Sequence, residues 1–308
     1  MEVPVVGMMR FAVVAALLLW AGVASAAGGG PVHTVATFSI LGDLVRQVGG
    51  SHVEVSTLVG PGSDVHTFSP NPGDARTLAR ADLVVVNGLG LEGWIDRLIR
   101  ASGTKAPVLV ASRGVSAIED SDPHDHAGHD HAAVDPHAWQ NVANVKIYVA
   151  NIRDGLVAVD PAHRADYESA AAAYTDKLDA LDRDVRAALA RIPPENRRII
   201  TTHDAFGYFG KAYGMTILAP QGLSTDSEAS PRDVAAIIGQ IRRERVPAVF
   251  LETVTDPRQM ERIARESGAR IGGEVYSDAL SAPNGPAPTY LAMIASNVMA
   301  FEKALAPR

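Results

Sequence analysis

Between Ala162 and Ile192 the chain carries neither glycine nor proline, and this uninterrupted stretch limits the fold more than any other feature. Asp160-Pro161 reads as an N-cap followed by proline at the first helical position, and Pro193-Pro194 ends the run. Tyr167, Tyr174, Leu178, Leu181, Val185, Leu189 and Ile192 recur at spacings of seven, four, three, four, four and three, which is one apolar stripe along a single helix. Roughly 32 residues at 1.5 Å each extend for about 48 Å, longer than a small domain is wide. Such a helix in mid-chain is read as a connector between two lobes, although packing inside one domain would also satisfy the stripe.

The two sides of this helix resemble each other. Before it, short strands at Val32–Ala36, Val53–Val59, Leu83–Val86 and Val108–Ala111 alternate with helical patterns at Ile40–Val48, at ARTLARA after Asp74 as cap, and at Glu92–Ala101. A helical stretch from about Asn141 to Val157 then leads into the connector. After it, strands at Arg198–Thr202, Met215–Ala219, Val249–Glu252 and Gly273–Tyr276 alternate with helices at Ala205–Tyr213, Pro231–Glu244 and Pro257–Ser267. ADLVVVNGLGLEGWIDRLIRASG from Ala81 matches VPAVFLETVTDPRQMERIARESG from Val246 in strand, loop, helix and closing glycine. HTFSPNPGDARTLARA likewise aligns with SEASPRDVAAIIGQIR through a shared Ser-Pro. The expectation is an α/β fold of two similar lobes with parallel-rich sheets, joined by one long rigid helix. Its boundaries are an N-terminal lobe at 27–158, a linking helix at 159–193 and a C-terminal lobe at 194–308.

The first 26 residues stand apart. Arg10 precedes the apolar run Phe11–Ala24, and Ala24-Ser25-Ala26 fits a signal peptidase site. About 14 apolar residues are too few to span a bilayer comfortably, so export with cleavage near Ala26 is expected. The chain has no cysteine, which excludes disulfides, thiolate metal sites, nucleophilic cysteine chemistry and lipid attachment at an N-terminal Cys. A free periplasmic protein is expected. The net charge of -7 gives no electrostatic footprint for nucleic acid, and a monomer is expected.

Histidine is concentrated in one place. Of ten histidines, five (His124, His126, His129, His131 and His137) fall within PHDHAGHDHAAVDPHAW, Pro123 to Trp139. Imidazole is the commonest metal ligand near neutral pH, so a His/Asp tract of this density points to a transition metal. In parallel α/β sheets, ligands gather at the carboxyl ends of strands. His66 follows the strand ending at Val59, His137 the strand at Val108, His203 the strand RRIITT and Asp278 the strand ending at Tyr276. Two from each lobe share one rim, and three imidazoles with one carboxylate suit a four-coordinate Zn²⁺ shell.

GSDVHTFSP around His66, DPHAW around His137, THDAFGYF around His203 and SDAL around Asp278 resemble the metal motifs of ZnuA/TroA-type solute-binding proteins of ABC importers, also called cluster A-I. The resemblance covers about Val32 to Ala306, with four motifs in the expected order. It implies two α/β lobes on a rigid helix and His66, His137, His203 and Asp278 as ligands. Manganese-preferring members usually carry Glu at the position of His203, so three nitrogens imply Zn²⁺ rather than Mn²⁺. The His-rich loop at 119–131 is most similar to the zinc-specific AztC-like branch. Some zinc members replace the Asp by water or an acidic loop residue. The resemblance also implies a membrane permease as partner, with a periplasmic zinc metallochaperone as a second candidate.

Three alternatives bear on function. One is a manganese-binding importer component. Another is a periplasmic zinc hydrolase; against it, there is no HExxH, and four protein ligands would leave no open position for water. The third is a zinc buffer without a permease. The loop histidines His124, His126, His129 and His131 are read as a weaker accessory zinc site.

Overall fold

The structure is a computed structural model that describes residues 30–119 and 134–306. The signal segment and His124, His126, His129 and His131 lie outside the described residues. Seven elements build the N-terminal sheet and its cover: β1 (Val32–Phe38), α1 (Ser39–Gly49), β2 (Val53–Val59), α2 (Pro72–Ala79), β3 (Leu83–Val86), α3 (Ile95–Ser102) and β4 (Val108–Val110). Two helices follow, α4 (Val142–Val159) and α5 (Arg164–Ala190). The C-terminal lobe repeats the order with β5 (Arg198–Ile200), α6 (Gly207–Tyr213), β6 (Thr216–Leu218), α7 (Pro231–Glu244), β7 (Ala248–Glu252), α8 (Arg258–Ser267) and β8 (Arg270–Val275).

Both sheets are parallel throughout and identically ordered, β2-β1-β3-β4 and β6-β5-β7-β8. The duplication expected from sequence is therefore one of topology. The shared Ser-Pro, however, is offset: Ser230 caps α7 by accepting from Asp233, whereas α2 is capped by Asn71. There Asp74 is the N3 partner in a capping box, its carboxylate accepting the Asn71 N–H at 2.7 Å.

The linking helix is shorter than its stripe suggested. Pro161–His163 forms a 3-10 turn, and α5 has 27 residues, about 40 Å at the usual rise. The reason is chemical: Asp160 does not cap the backbone but accepts from Tyr167 Oη at 2.6 Å and meets His163 Nδ1 at 2.6 Å. The stripe itself is real, since Tyr167, Tyr174, Leu178, Val185 and Leu189 are buried in a core that continues from one lobe into the other.

Three further elements differ from expectation by more than two residues. α3 begins at Ile95, because Glu92 folds back beneath its own loop and accepts from Thr37 Oγ1 (2.6 Å), Asn87 N (2.6 Å) and Gly88 N (3.2 Å). β8 begins three residues earlier, at Arg270. After Tyr276 the sequence reading gave no element, yet a helix α9, Tyr290–Leu305, is capped by Thr289 and buries Tyr290, Met293, Ile294 and Phe301. No helix among the described residues is long and apolar enough to cross a membrane.

Candidate metal site

Each residue singled out at a strand end arrives in the cleft between the lobes. His66 sits in the β2–α2 loop, where its backbone N–H donates to Asp64 Oδ1 at 2.8 Å, an Asx turn that sets the loop. His137 lies before α4. Asp135 accepts both its backbone N–H (2.9 Å) and its ring Nδ1 (2.8 Å), so the DPH motif fixes position and ring orientation with one carboxylate. His203 follows β5, and Glu252 at the end of β7 accepts the backbone N–H groups of Thr202 (2.7 Å) and His203 (2.9 Å) through Oε1. Its Oε2 lies 2.6 Å from His203 Nδ1, short but off the line of a good hydrogen bond. Asp278 follows β8.

With Nδ1 turned to a carboxylate in two of the rings, the Nε2 atoms face inward. His66 and His137 Nε2 are 3.2 Å apart, and His137 and His203 Nε2 are 3.4 Å apart. Asp278 Oδ2 lies 3.1 Å from His203 Nε2 and 3.5 Å from His66 Nε2, while Oδ1 lies 3.7 Å from His137 Nε2. All four ligand atoms lie within 4.8 Å of one another. Ring nitrogens this close need a shared proton or a shared cation. Zinc bonds of about 2.0–2.1 Å give a tetrahedron with edges of roughly 3.3–3.4 Å; two Nε2 pairs and the two Asp278 Oδ2 contacts, at 3.1 to 3.5 Å, bracket that length.

Burial sharpens the point. His137, His203 and Asp278 are 0% exposed, yet neither Asp278 oxygen has a well-aligned hydrogen-bond donor. A buried carboxylate in that condition is costly unless a cation neutralises it. Burial pushes the Asp278 carboxyl up, but the neighbouring His203 and His137 overcome this and hold it well below the usual carboxylate range. Burial likewise works against a charged His203, and Glu252 with Asp278 outweigh it, so its imidazole sits well above the ordinary histidine value. The residues fit a dication: three imidazoles, one inner carboxylate and two outer carboxylates whose charge reaches the centre through the rings.

The side chain of His66 is 5% exposed and faces a cavity of about 590 Å³ lined by Phe68, Leu89, Trp94 and Pro136 from one lobe and Leu223 and Ser224 from the other. The lobes meet closely behind it. Gly207, in THDAFGYF, has no room for a Cβ, which would lie 2.7 Å from Asp135 Oδ2, and Tyr208 Oη donates to Asp135 O at 3.1 Å.

Asp135, Glu252 and Asp64 were missed as functional residues by the sequence reading. Each carried a signal: Asp135 lies within DPHAW, Asp64 within GSDVHTFSP, and Glu252 occupies a strand end on the ligand rim, where the rule that found His203 also applies. What no local pattern showed is the tie from Asp64 to the other lobe, where Thr225 Oγ1 donates to it at 2.6 Å.

Residues 34–304 match the family described as "Zinc-uptake complex component A periplasmic". The iron-binding protein YfeA of Yersinia pestis is 34% identical over 87% of this chain and 85% of its own. The manganese-binding lipoprotein MntA of Halalkalibacterium halodurans is 35% identical over 88% and 87%. Among solved structures, the periplasmic zinc binding protein TroA of Treponema pallidum superposes with a TM-score of 0.83 at 30% identity, covering 90% of this chain and 100% of its own. Two parallel-sheet lobes on a linking helix, a buried His3Asp cluster between them and this match along nearly the whole chain lead to one conclusion: the chain belongs to the zinc-uptake complex component A family, the metal-binding substrate-binding components of ABC transporters.

Proposed function

We propose that this protein captures Zn²⁺ between its lobes through His66, His137, His203 and Asp278 and delivers it to the permease of an ABC importer. The observation that carries the reading is the convergence of three inward Nε2 atoms and one buried carboxylate within 4.8 Å, with neighbouring donors 3.1 to 3.5 Å apart, near a tetrahedral edge. A nitrogen-rich shell supports zinc over manganese, which suits oxygen-rich surroundings. The relatives are named for iron, manganese and zinc, so the donor set and not the relatives supports the choice, and placement in an AztC-like branch rests on the His-rich loop at 119–131. Metal analysis of purified protein with zinc against manganese competition tests it: one tightly held zinc per chain is expected, and preferential retention of manganese would refute it. A hydrolase is disfavoured because the nearest carboxylates, Asp135 and Glu252, already hold histidines.

The remaining parts of the reading follow from the sequence. MntA is named a lipoprotein; this chain has no cysteine to carry a lipid, which supports a free periplasmic protein released by osmotic shock, and recovery in the membrane fraction would count against it. The stretch 119–131 begins at Glu119, which pairs with Val134 beside the cleft. It serves as the accessory loop, loading the site directly or from a metallochaperone. Deleting it should preserve one tight zinc and slow loading; loss of the tight site would overturn the division between loop and cleft.

A further inference from the structure

The turn that presents His137 also reaches across the cleft. Trp139 and Gln140 are both 0% exposed, and both donate to one atom of the other lobe, the carbonyl oxygen of Ser277, from Nε1 at 2.9 Å and Nε2 at 2.8 Å. Ser277 immediately precedes Asp278. Two residues beyond Asp278, the Leu280 N–H donates to Ser39 Oγ at 3.0 Å and its carbonyl accepts the Gly62 N–H at 2.9 Å. The C-terminal lobe's own hold ends one residue before this segment, where the Asn297 side chain bonds both N–H and carbonyl of Tyr276 at 2.8 Å. Asp278 thus belongs to one lobe by sequence and is gripped by the other through its backbone.

Gln140 is an unusual choice for a core position. Its Oε1 has no hydrogen-bond partner among the described residues, and burying such an oxygen is unfavourable. A leucine would fill similar space without that penalty. What the amide supplies is the Nε2–H on Ser277 O.

We infer that Trp139 and Gln140 are positioning residues that fix the orientation of the Asp278 carboxylate and, through it, the preference between metals. The inference rests on the proposed ligand role of Asp278. Held as it is, the carboxylate brings Oδ2 to 3.1 Å from His203 Nε2 and 3.5 Å from His66 Nε2, while Oδ1 faces His137 Nε2 at the longer distance of 3.7 Å. A pinned Ser277 peptide keeps one oxygen at a tetrahedral corner. A loosened one lets the carboxylate offer both oxygens, raising the coordination number toward that of harder ions and away from four-coordinate zinc.

The test uses the full chain loaded with Co²⁺, whose visible absorption is strong in four-coordinate and weak in six-coordinate surroundings. W139F keeps an aromatic ring and removes the N–H; Q140L keeps the volume and removes the amide. Each is expected to bind one Co²⁺ with a weakened band and to lower the zinc-to-manganese affinity ratio about tenfold, the usual size of an outer-shell effect. Q240L on α7 should match wild type. The wild-type spectrum and ratio in both variants, with only a lower melting temperature, would overturn the inference, as would a D278A spectrum identical to wild type. Should Q140L not fold, W139F decides alone. A wild-type chain that holds neither zinc nor cobalt tightly refutes the zinc reading itself, and the positioning role falls with it.

Discussion

The N-terminal lobe offers the cleft the loops after its second and fourth strands, with His66 and His137, whereas the C-terminal lobe offers those after its first and fourth, with His203 and Asp278. Only the fourth-strand loops correspond. At the two remaining positions, each lobe places a group that holds a candidate ligand loop of the other. Ser39, directly after β1, accepts the Leu280 N–H beside Asp278. Thr225, in the loop after β6, donates to Asp64, which orders His66. Two sheets of the same order thus offer eight strand ends, and those facing the cleft carry candidate ligands, clasps or, at the end of β7, the carboxylate of Glu252 beside His203.

The comparison is broken most directly by removing one ligand from each lobe. A four-ligand zinc site binds with roughly 10–16 kcal/mol, so loss of one ligand should cost about 3 kcal/mol, a hundredfold or more in affinity. H66A and H203A are expected to lose comparable affinity in competition titrations. If only one lobe's variant weakens binding, the site is not shared.

Outer carboxylates should give the next largest effect. Glu252 and Asp278 hold the His203 imidazole well above its ordinary value of 6.5 despite burial. Such a histidine stabilises the metal-free fold fully below its unfolded value of about 6.5, and the contribution fades as pH rises through the folded value. Zinc takes the neutral ring and expels that proton, so zinc affinity and the zinc-induced rise in melting temperature should both grow with pH. From about pH 6.5 up to the raised folded value of His203, one proton released per zinc gives about tenfold in affinity per pH unit, and the slope fades above that value. E252Q should flatten that slope and weaken zinc by about 10- to 100-fold; a slope equal to wild type would place the proton elsewhere.

The clasps should matter least. T225V and S39A each remove one partly or fully buried hydrogen bond, worth about 1 kcal/mol, and should lower the melting temperature slightly while quickening zinc release. T225V acts through His66 and S39A through Asp278, so release rates that differ strongly between them would rank the two loops.

Much of this was legible beforehand because it is periodic or local. The apolar stripe on α5, the strand pattern LVVV and the helix Pro231–Glu244 are repeats or short-range signals, and they fall where expected. What escaped was competition for a side chain. Asp160 and Glu92 read as helix-start residues, but a nearby tyrosine, hydroxyl or backbone N–H took their carboxylates instead. The α9 helix went unread although its residues are apolar and capped.

By itself the sequence determined the donor types, their placement at strand ends and the division into two lobes, since residue identity and hydrophobic period are local properties of the chain. Only the tertiary structure decided that Glu252 holds His203, that Ser39 and Thr225 act as clasps, and that Trp139 reaches a carbonyl 138 residues away. Those contacts join segments far apart in sequence, and their distances are set by how the two sheets pack across the cleft, which no local pattern encodes.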